Sequence, residues 1–312
     1  MQLALTLNPL VDSDLLFAQQ LGVDWIVGDL PAWDRDTLAA ACNRVKHAGL
    51  HLSGLTCIPD SLVASALLEQ PERAAAPAQI SRIIGDAGEL GVPTLGYRLP
   101  VADVGSVAGT MPGRGGARHA VYRIRAATGA APHERREALW HNLARFLQQV
   151  VPVAEAAGVR LAYRTELSVL ALPEEERILD SVDELDRLFR IAPSPCHGLD
   201  LDHGFVMQLG PGTGSGPGTG STTETIRHFG ADKRIFAVRL RSLQATDTGA
   251  LEAFLDEDRV AAVQAVKDYS KTRFEGPLCA VPSPSLPDDT AWRHKGAAFT
   301  VGYIRGLLQV GA

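Results

Sequence analysis

Hydrophobic residues recur along this chain in short, nearly continuous runs separated by longer amphipathic stretches. The runs are 3–7 (LALTL), 24–30 (DWIVGDL), 50–57 (LHLSGLTC), 94–99 (TLGYRL), 160–165 (RLAYRT), 197–202 (HGLDLD), 234–242 (RIFAVRLRS) and 277–281 (PLCAV). Each fits a strand buried on both faces, as in parallel sheets. Helical patterns lie between them. DSDLLFAQQLG opens with Asp12, Ser13 and Asp14 as cap candidates and stops at Gly22. DRDTLAAACNRVKHAGL ends with Lys46, His47 and then Gly49, an order that suits the helix dipole. In the long stretch from His133, the residues Leu139, Leu143, Phe146, Leu147 and Val150 share one face, and Pro152 predicts a kink or a division. SVDELDRLFRI, TETIRHFG, DRVAAVQAVKDY and GAAFTVGYIRGLLQ supply the later helices.

Strands that alternate with helices in this way predict an α/β fold, a single (β/α)8 TIM barrel spanning residues 1–312. A doubly wound open sheet is the alternative. Two segments break the rhythm. Residues 100–133 form a long insertion after the fourth predicted strand, with the composition of a lid. Residues 210–221 (GPGTGSGPGTGS) read as a flexible Gly-rich insertion, slack chain and not a dinucleotide fingerprint.

Composition narrows the function classes. The 312 residues carry 30 Lys+Arg against 36 Asp+Glu, so the net charge is −6, which argues against a nucleic-acid partner. No apolar run approaches the roughly 18 residues of a membrane span. The start of the chain lacks the basic region of a signal peptide, and a cytoplasmic protein is expected. Four scattered cysteines (Cys42, Cys57, Cys196, Cys279) read as reduced thiols.

In such barrels the chemistry sits at the C-terminal ends of the strands. Those ends carry Arg164, then Asp202 with His203, then Arg239, and finally Val281 and Pro282. Earlier strands add Asp29, Asp60, Tyr97 and Arg98. The set is rich in arginine, which has no lone pair for a cation, so no metal site is expected. It suits an anion, or an Arg–Asp–Arg cluster that neutralises itself. Asp202 and His203 are the candidates for a catalytic base, although neighbours on a strand normally point to opposite faces. Arg114, Arg118, Arg123 and Arg125 in the insertion could close over a ligand, with Gly113, Gly115 and Gly116 letting the backbone approach it.

The chain resembles mannonate dehydratase, a xylose-isomerase-like barrel that converts D-mannonate to 2-keto-3-deoxygluconate. The resemblance is carried by LGVDWIVGDLPAWD, TMPGRGGAR, FLQQVVPVAEAAGVRLA, CHGLDLDHG, IRHFGADKRIFAVRLRS and DDTAWRHKGAAFTVGYIRGLLQ, in that order. It implies the barrel topology and a homo-oligomer. It also implies a divalent metal, typically Mn²⁺, held by His, Cys, His and Asp after the last four strands. Those positions fall here on Arg164, Asp202, Arg239 and Val281, and the acid/base His that follows falls on Pro282. The expectation is that Arg164, Asp202 and Arg239 replace the metal electrostatically. With Arg98, Arg114 and Arg118 they would bind a small sugar-acid-type anion, without the family's dehydration. Two alternatives stay open: a lyase or isomerase of acid sugars that works without the metal, and a non-catalytic structural or regulatory subunit.

Overall fold

The computed structural model describes residues 1–67, 75–99, 107–124, 133–172, 177–209 and 219–311. Eight strands form a closed parallel barrel. In chain order they are β1 (Gln2–Leu7), β2 (Trp25–Gly28), β3 (His51–Leu55), β4 (Thr94–Tyr97), β7 (Arg160–Arg164), β8 (His197–Asp202), β9 (Ile235–Leu240) and β12 (Pro277–Ala280). Each coincides with one of the predicted hydrophobic runs. The barrel closes where β1 pairs with both β2 and β12.

Alternation along the strands sorts the side chains. Leu5, Leu7, Leu95, Tyr97, Leu161, Tyr163, Leu199, Leu201, Val238 and Leu240 belong to the main core shared with the helices, while Ala4, Val27 and Cys279 form a separate small cluster. Glycine opens one inter-strand contact further. A Cβ on Gly96 of β4 would lie 1.7 Å from the Thr56 carbonyl oxygen, and the Gly96 carbonyl accepts from the Ile58 amide at 2.8 Å.

The helices are α1 (Asp12–Gln20), α2 (Arg35–His47), α3 (Asp60–Leu67), α4 (Ala76–Glu89), α5 (His133–Ala157), α6 (Val182–Ile191), α7 (His203–Gln208), α8 (Thr219–Ala231), α9 (Arg259–Lys271) and α10 (His294–Gly311). Local chemistry starts several of them. Asp34, Ser181 and Asp258 accept from Thr37, Glu184 and Ala261 amides at the heads of α2, α6 and α9. α3 and α4 occupy a stretch whose periodicity names no helix. Pro152 does not divide α5, which continues to Ala157. Pro152 is solvent-facing, and so is Gln148, whose carbonyl loses its helical partner there and can turn to water.

The predicted single strand at 234–242 breaks after Leu240. Residues 242–246 leave the barrel as β10 (Ser242–Thr246), fold back as β11 (Gly249–Ala253) and meet β6 (Arg118–Arg123) and β5 (Val107–Pro112). The four form an antiparallel sheet ordered β10-β11-β6-β5. Part of the 100–133 insertion is therefore a hairpin docked on a second hairpin, and Arg118 pairs through its backbone with Ser285 beyond β12. Residues 100–106 and 125–132 lie outside the described residues. So do 210–218 of the Gly-rich stretch, whose last three residues open α8. Among the described residues no helix is long and apolar enough to cross a membrane.

Candidate functional site

Three consecutive barrel strands end in charged residues spaced two apart: Arg164 on β7 with Glu166 just beyond it, Asp200 and Asp202 on β8, and Arg239 on β9 with Arg241 just beyond it. Period two puts both members of each pair on the same side. Register sets Arg164 against Asp200 and Asp202 against Arg239.

Arg239 is the hub. Its Nε donates to Asp200 Oδ1 at 3.3 Å and its Nη1 to Asp202 Oδ2 at 3.1 Å, while Nη2 donates to the Thr165 carbonyl. Glu166 Oε1 lies 3.7 Å from Nη1. The side chain is 4% exposed. Burial works against its charge, yet Asp200, Glu166 and Asp202 outweigh that and raise its pKa above the ordinary arginine value. Arg164 donates from Nε to Glu166 at 2.8 Å and reaches Asp200 from Nη1 at 3.5 Å. Burial pushes the Glu166 carboxyl up, but Arg239 and Arg164 more than reverse it, so Glu166 titrates below the usual carboxylate range. At the rim, Arg98 grips Asp60 through Nε and Nη2 at 2.7–3.1 Å, and its Nη1 lies 3.8 Å from Glu166.

Both oxygens of Asp202 are engaged. Oδ1 accepts from the Gly204 and Phe205 amides at 2.8 and 3.4 Å, capping α7. Oδ2 faces Arg239 Nη1 at 3.1 Å and Arg241 Nη2 at 2.9 Å. Arg241 also donates to the Tyr122 hydroxyl at 3.2 Å, which ties the antiparallel sheet to the barrel mouth. Four guanidiniums thus meet four carboxylates: Arg98, Arg164, Arg239 and Arg241 against Asp60, Glu166, Asp200 and Asp202.

Beside this network a cavity of about 400 Å³ opens between the C-terminal ends of β1, β2, β3, β4 and β7. Arg98, Arg164, Asn8, Asp29, Cys57 and Trp33 are among the residues lining it. Burial pushes the Cys57 thiol up to about 12, so it is neutral at physiological pH. Asn8 donates to Asp29 at 2.7 Å. Among the described residues Arg164 bonds through Nε and Nη1, and its Nη2 makes no hydrogen bond.

The sequence-predicted residues separate into groups. Arg98 and Arg164 line the cavity. Asp202 and Arg239 are buried in the network, and Asp202 holds no direct ion pair with Arg164. Arg114 does not line the cavity: it forks onto Asp256 at 2.6 and 2.7 Å and lies 4.0 Å over the Phe254 ring. Arg118 is exposed and contributes its backbone to the Ser285 bridge, and Arg123 is exposed on β6. Arg125 lies outside the described residues. Val281 and Pro282 bring no polar side chain. Glu166, Asp200, Arg241 and Tyr122 were not among the predicted residues, although the repeated i, i+2 charge pairs were a signal for the first three.

The structure does not bring His203 to Asp202. Strand alternation turns it outward, where Nδ1 sits 3.1 Å from the Tyr269 hydroxyl of α9. Tyr97 likewise faces the helix layer, its hydroxyl 2.7 Å from His197 Nε2. Burial lowers both His203 and His197 to about 4, so both are held neutral. The unfolded chain therefore binds protons that the folded chain refuses. This contribution to stability is fully present above pH ~6.5 and is lost as pH falls toward 4, at a cost of about 2 kcal/mol per histidine by pH ~5. Urea unfolding at both pH values should show the midpoint fall, and less so in His203→Gln. An unchanged wild-type midpoint would contradict the neutral assignment.

A sequence profile of the D-mannonate dehydratase (UxuA) family matches residues 101–310, more than half of the chain. The chain belongs to that family. Among curated relatives, mannonate dehydratase 2 of Halalkalibacterium halodurans is 32% identical over 148 residues, covering 46% of this chain and 40% of that protein. The mannonate dehydratase of Thermotoga neapolitana is 33% identical over 113 residues, covering 35% of this chain and 28% of that protein. The chain thus aligns with well under half the length of these relatives. A crystal structure of mannonate dehydratase from Streptococcus suis superposes with a TM-score of 0.74 at 19% identity, covering 100% of this chain and 93% of that one. A xylose isomerase domain protein from Planctomyces limnophilus superposes at 0.64 with 15% identity, covering 99% and 96%. The fold is the xylose-isomerase-like barrel.

The residues at the positions that the family resemblance assigns to a divalent cation do not fit one. Arg164 and Arg239 offer guanidiniums without lone pairs, Val281 offers no donor atom, and both oxygens of Asp202 are already engaged. Among the described residues no group of three or more His, Cys, Asp or Glu is disposed to hold a metal.

Proposed function

We propose that this member of the D-mannonate dehydratase family binds a small sugar-acid-type anion at the barrel mouth and does not carry out metal-dependent dehydration. The observation that carries this reading is the cavity at the mouth that Arg98 and Arg164 line, with Arg164 and Arg239 standing at positions that the resemblance assigns to the cation. A ligand carboxylate can take forked hydrogen bonds from such edges without a metal. Asn8, Asp29 and Thr6 supply partners for hydroxyl groups along the same wall, and Trp33 supplies an apolar face.

Neither of the two predicted bases at the mouth, Asp202 and His203, is placed to take a proton from a ligand. Asp202 is saturated, His203 faces α9, and Asp60 is committed to Arg98. The same saturation favours a second reading, a non-catalytic structural or regulatory subunit whose mouth network only holds the barrel together. The resemblance implies a homo-oligomer, and the scattered cysteines fit a protein of the reducing cytoplasm.

Titration calorimetry with D-mannonate and related hexonates, with and without chelator, tests the proposal. Binding should be insensitive to chelator and should weaken about tenfold or more in Arg98→Ala, the cost of one charge-assisted pair. Elemental analysis after incubation with excess Mn²⁺ and dialysis should find no stoichiometric metal. Retained Mn²⁺ with turnover of D-mannonate would overturn the proposal. Absence of any hexonate binding would favour the subunit reading.

A further inference from the structure

At the opposite end of the barrel the first residues of several strands surround a larger cavity of about 980 Å³. Gln2 of β1, Trp25 of β2, Arg160 of β7, Ile235 of β9 and Pro277 of β12 mark it as the N-terminal face, away from the mouth. Its volume lies in the range of small-molecule sites. Its lining is basic: Arg160, Arg227, Lys233, Lys271 and Arg273 face only Asp268 and Glu275. Asp268 is itself occupied, by Thr223 at 2.6 Å, Gln264 at 2.7 Å and Lys271 at 3.5 Å.

Two features separate this cavity from an ordinary solvated basic surface. The first is polar groups left without partners. Arg160 is half-buried, lies 5.2 Å from the Phe236 ring centre, and has no ion-pair partner among the described residues. Burial lowers its pKa with no carboxylate to reverse the effect. Ser53 lines the same cavity, is 5% exposed, and its hydroxyl has no hydrogen-bond partner among the described residues. Buried polar groups are normally paired, so the Ser53 hydroxyl points to a missing partner.

The second feature is backbone conformation. Six helices end with the same crossed pair of backbone hydrogen bonds, seen for example in Gly22 to Gln19 with Val23 to Ala18. After α1, α2, α4 and α5 the left-handed residue is Gly22, Gly49, Gly91 and Gly158, at φ +64° to +72°. After α8 and α9 it is Lys233 (φ 53°) and Arg273 (φ 57°), and both line this cavity. A side chain is disfavoured in that conformation, and glycine is the residue that relieves it. Leu179, Asp288 and Arg293 also hold positive φ away from this cavity, but among these six helix ends Lys233 and Arg273 are the two without glycine.

We propose that this cavity is a second binding site, for a small molecule carrying two or more phosphate charges. Arg160 and Ser53 would form its floor, with Lys233, Arg273, Arg227 and Lys271 around the rim. Phosphate oxygens supply the acceptors that Arg160 and Ser53 lack, and the excess of cations over available carboxylates sets the preference for multiple charge.

Inorganic pyrophosphate, titrated calorimetrically into the full chain at low ionic strength, is the probe. Saturable binding at one site per chain is expected, weakening with added salt. The double variant Lys233→Gly, Arg273→Gly removes two charges while relaxing the backbone. It should melt no lower than wild type in the absence of ligand and bind pyrophosphate about tenfold or more weakly. Arg98→Ala at the mouth should bind pyrophosphate like wild type, which separates this site from the hexonate reading. The proposal is overturned if the wild type shows no saturable binding, if the double variant binds equally well, or if Arg98→Ala abolishes binding. A change in sedimentation coefficient of the double variant, together with no pyrophosphate binding by wild type, would instead identify a face between copies of the chain and equally overturn it.

Discussion

Arg239→Met is expected to lower the free energy of unfolding by about 3–5 kcal/mol at neutral pH, the usual cost of breaking a buried ion pair from one side. Methionine fills much of the volume of the arginine stem, so the loss is mainly electrostatic. Asp200, Asp202 and Glu166 would each lose a cation, in a position where the Arg239 side chain is only 4% exposed and Asp202 only 1%. The pH dependence identifies the cause. Without Arg239, the Glu166 carboxyl loses the largest of the charges that hold it down and accepts a proton more readily as pH falls. The difference between wild type and variant should therefore shrink toward pH ~4. Urea unfolding of both proteins across that range checks it. A deficit under ~1 kcal/mol at neutral pH would remove Arg239 from the centre of the network. A deficit of full size that ignores pH would assign the loss to packing.

Gly96→Ala is expected to cost about 3 kcal/mol or more, although it adds a single methyl group. The added carbon would lie 1.7 Å from the Thr56 carbonyl oxygen and 2.8 Å from its carbon, so backbone must move. Strands β3 and β4 would separate, carrying Asp60 and Arg98 with them and loosening the cavity wall that both residues line. The control is Gly85→Ala in α4, where nothing lies within 4 Å of the new carbon. There the helix should gain roughly 0.5–1 kcal/mol. Parallel thermal melts read both. Equal behaviour of the two variants would mean that β3 and β4 are not in the close contact described.

The barrel strands were readable because each is a local pattern: eight apolar runs of strand length, each bounded by turn or cap residues. The second sheet was not. β11 pairs with β6 across more than a hundred residues of sequence, so no window of local periodicity contains the contact. Reading 234–242 as one strand failed at Arg241, where the chain stays regular in composition but turns out of the barrel. The mouth was legible by type and not by partner. Arg164, Asp202 and Arg239 stand at strand ends in the sequence, but the placement of Asp200 opposite Arg164 depends on inter-strand register. Alternation also separates His203 from Asp202, since adjacent residues at a strand end face opposite sides.

By itself the sequence determined the alternating barrel, membership in the D-mannonate dehydratase family, and the side-chain chemistry standing at each strand end. The barrel follows from local periodicity, the membership from motifs that match the family profile, and the chemistry from the atoms each residue carries. Only the tertiary structure decided which guanidinium meets which carboxylate, that Asp202 has no free oxygen, that Arg114 turns to Asp256, and that a basic cavity lies at the far end of the barrel. Ion pairs and hydrogen bonds are decided over a few ångströms between residues far apart in the chain, and that separation is a property of the closed barrel, not of any segment of it.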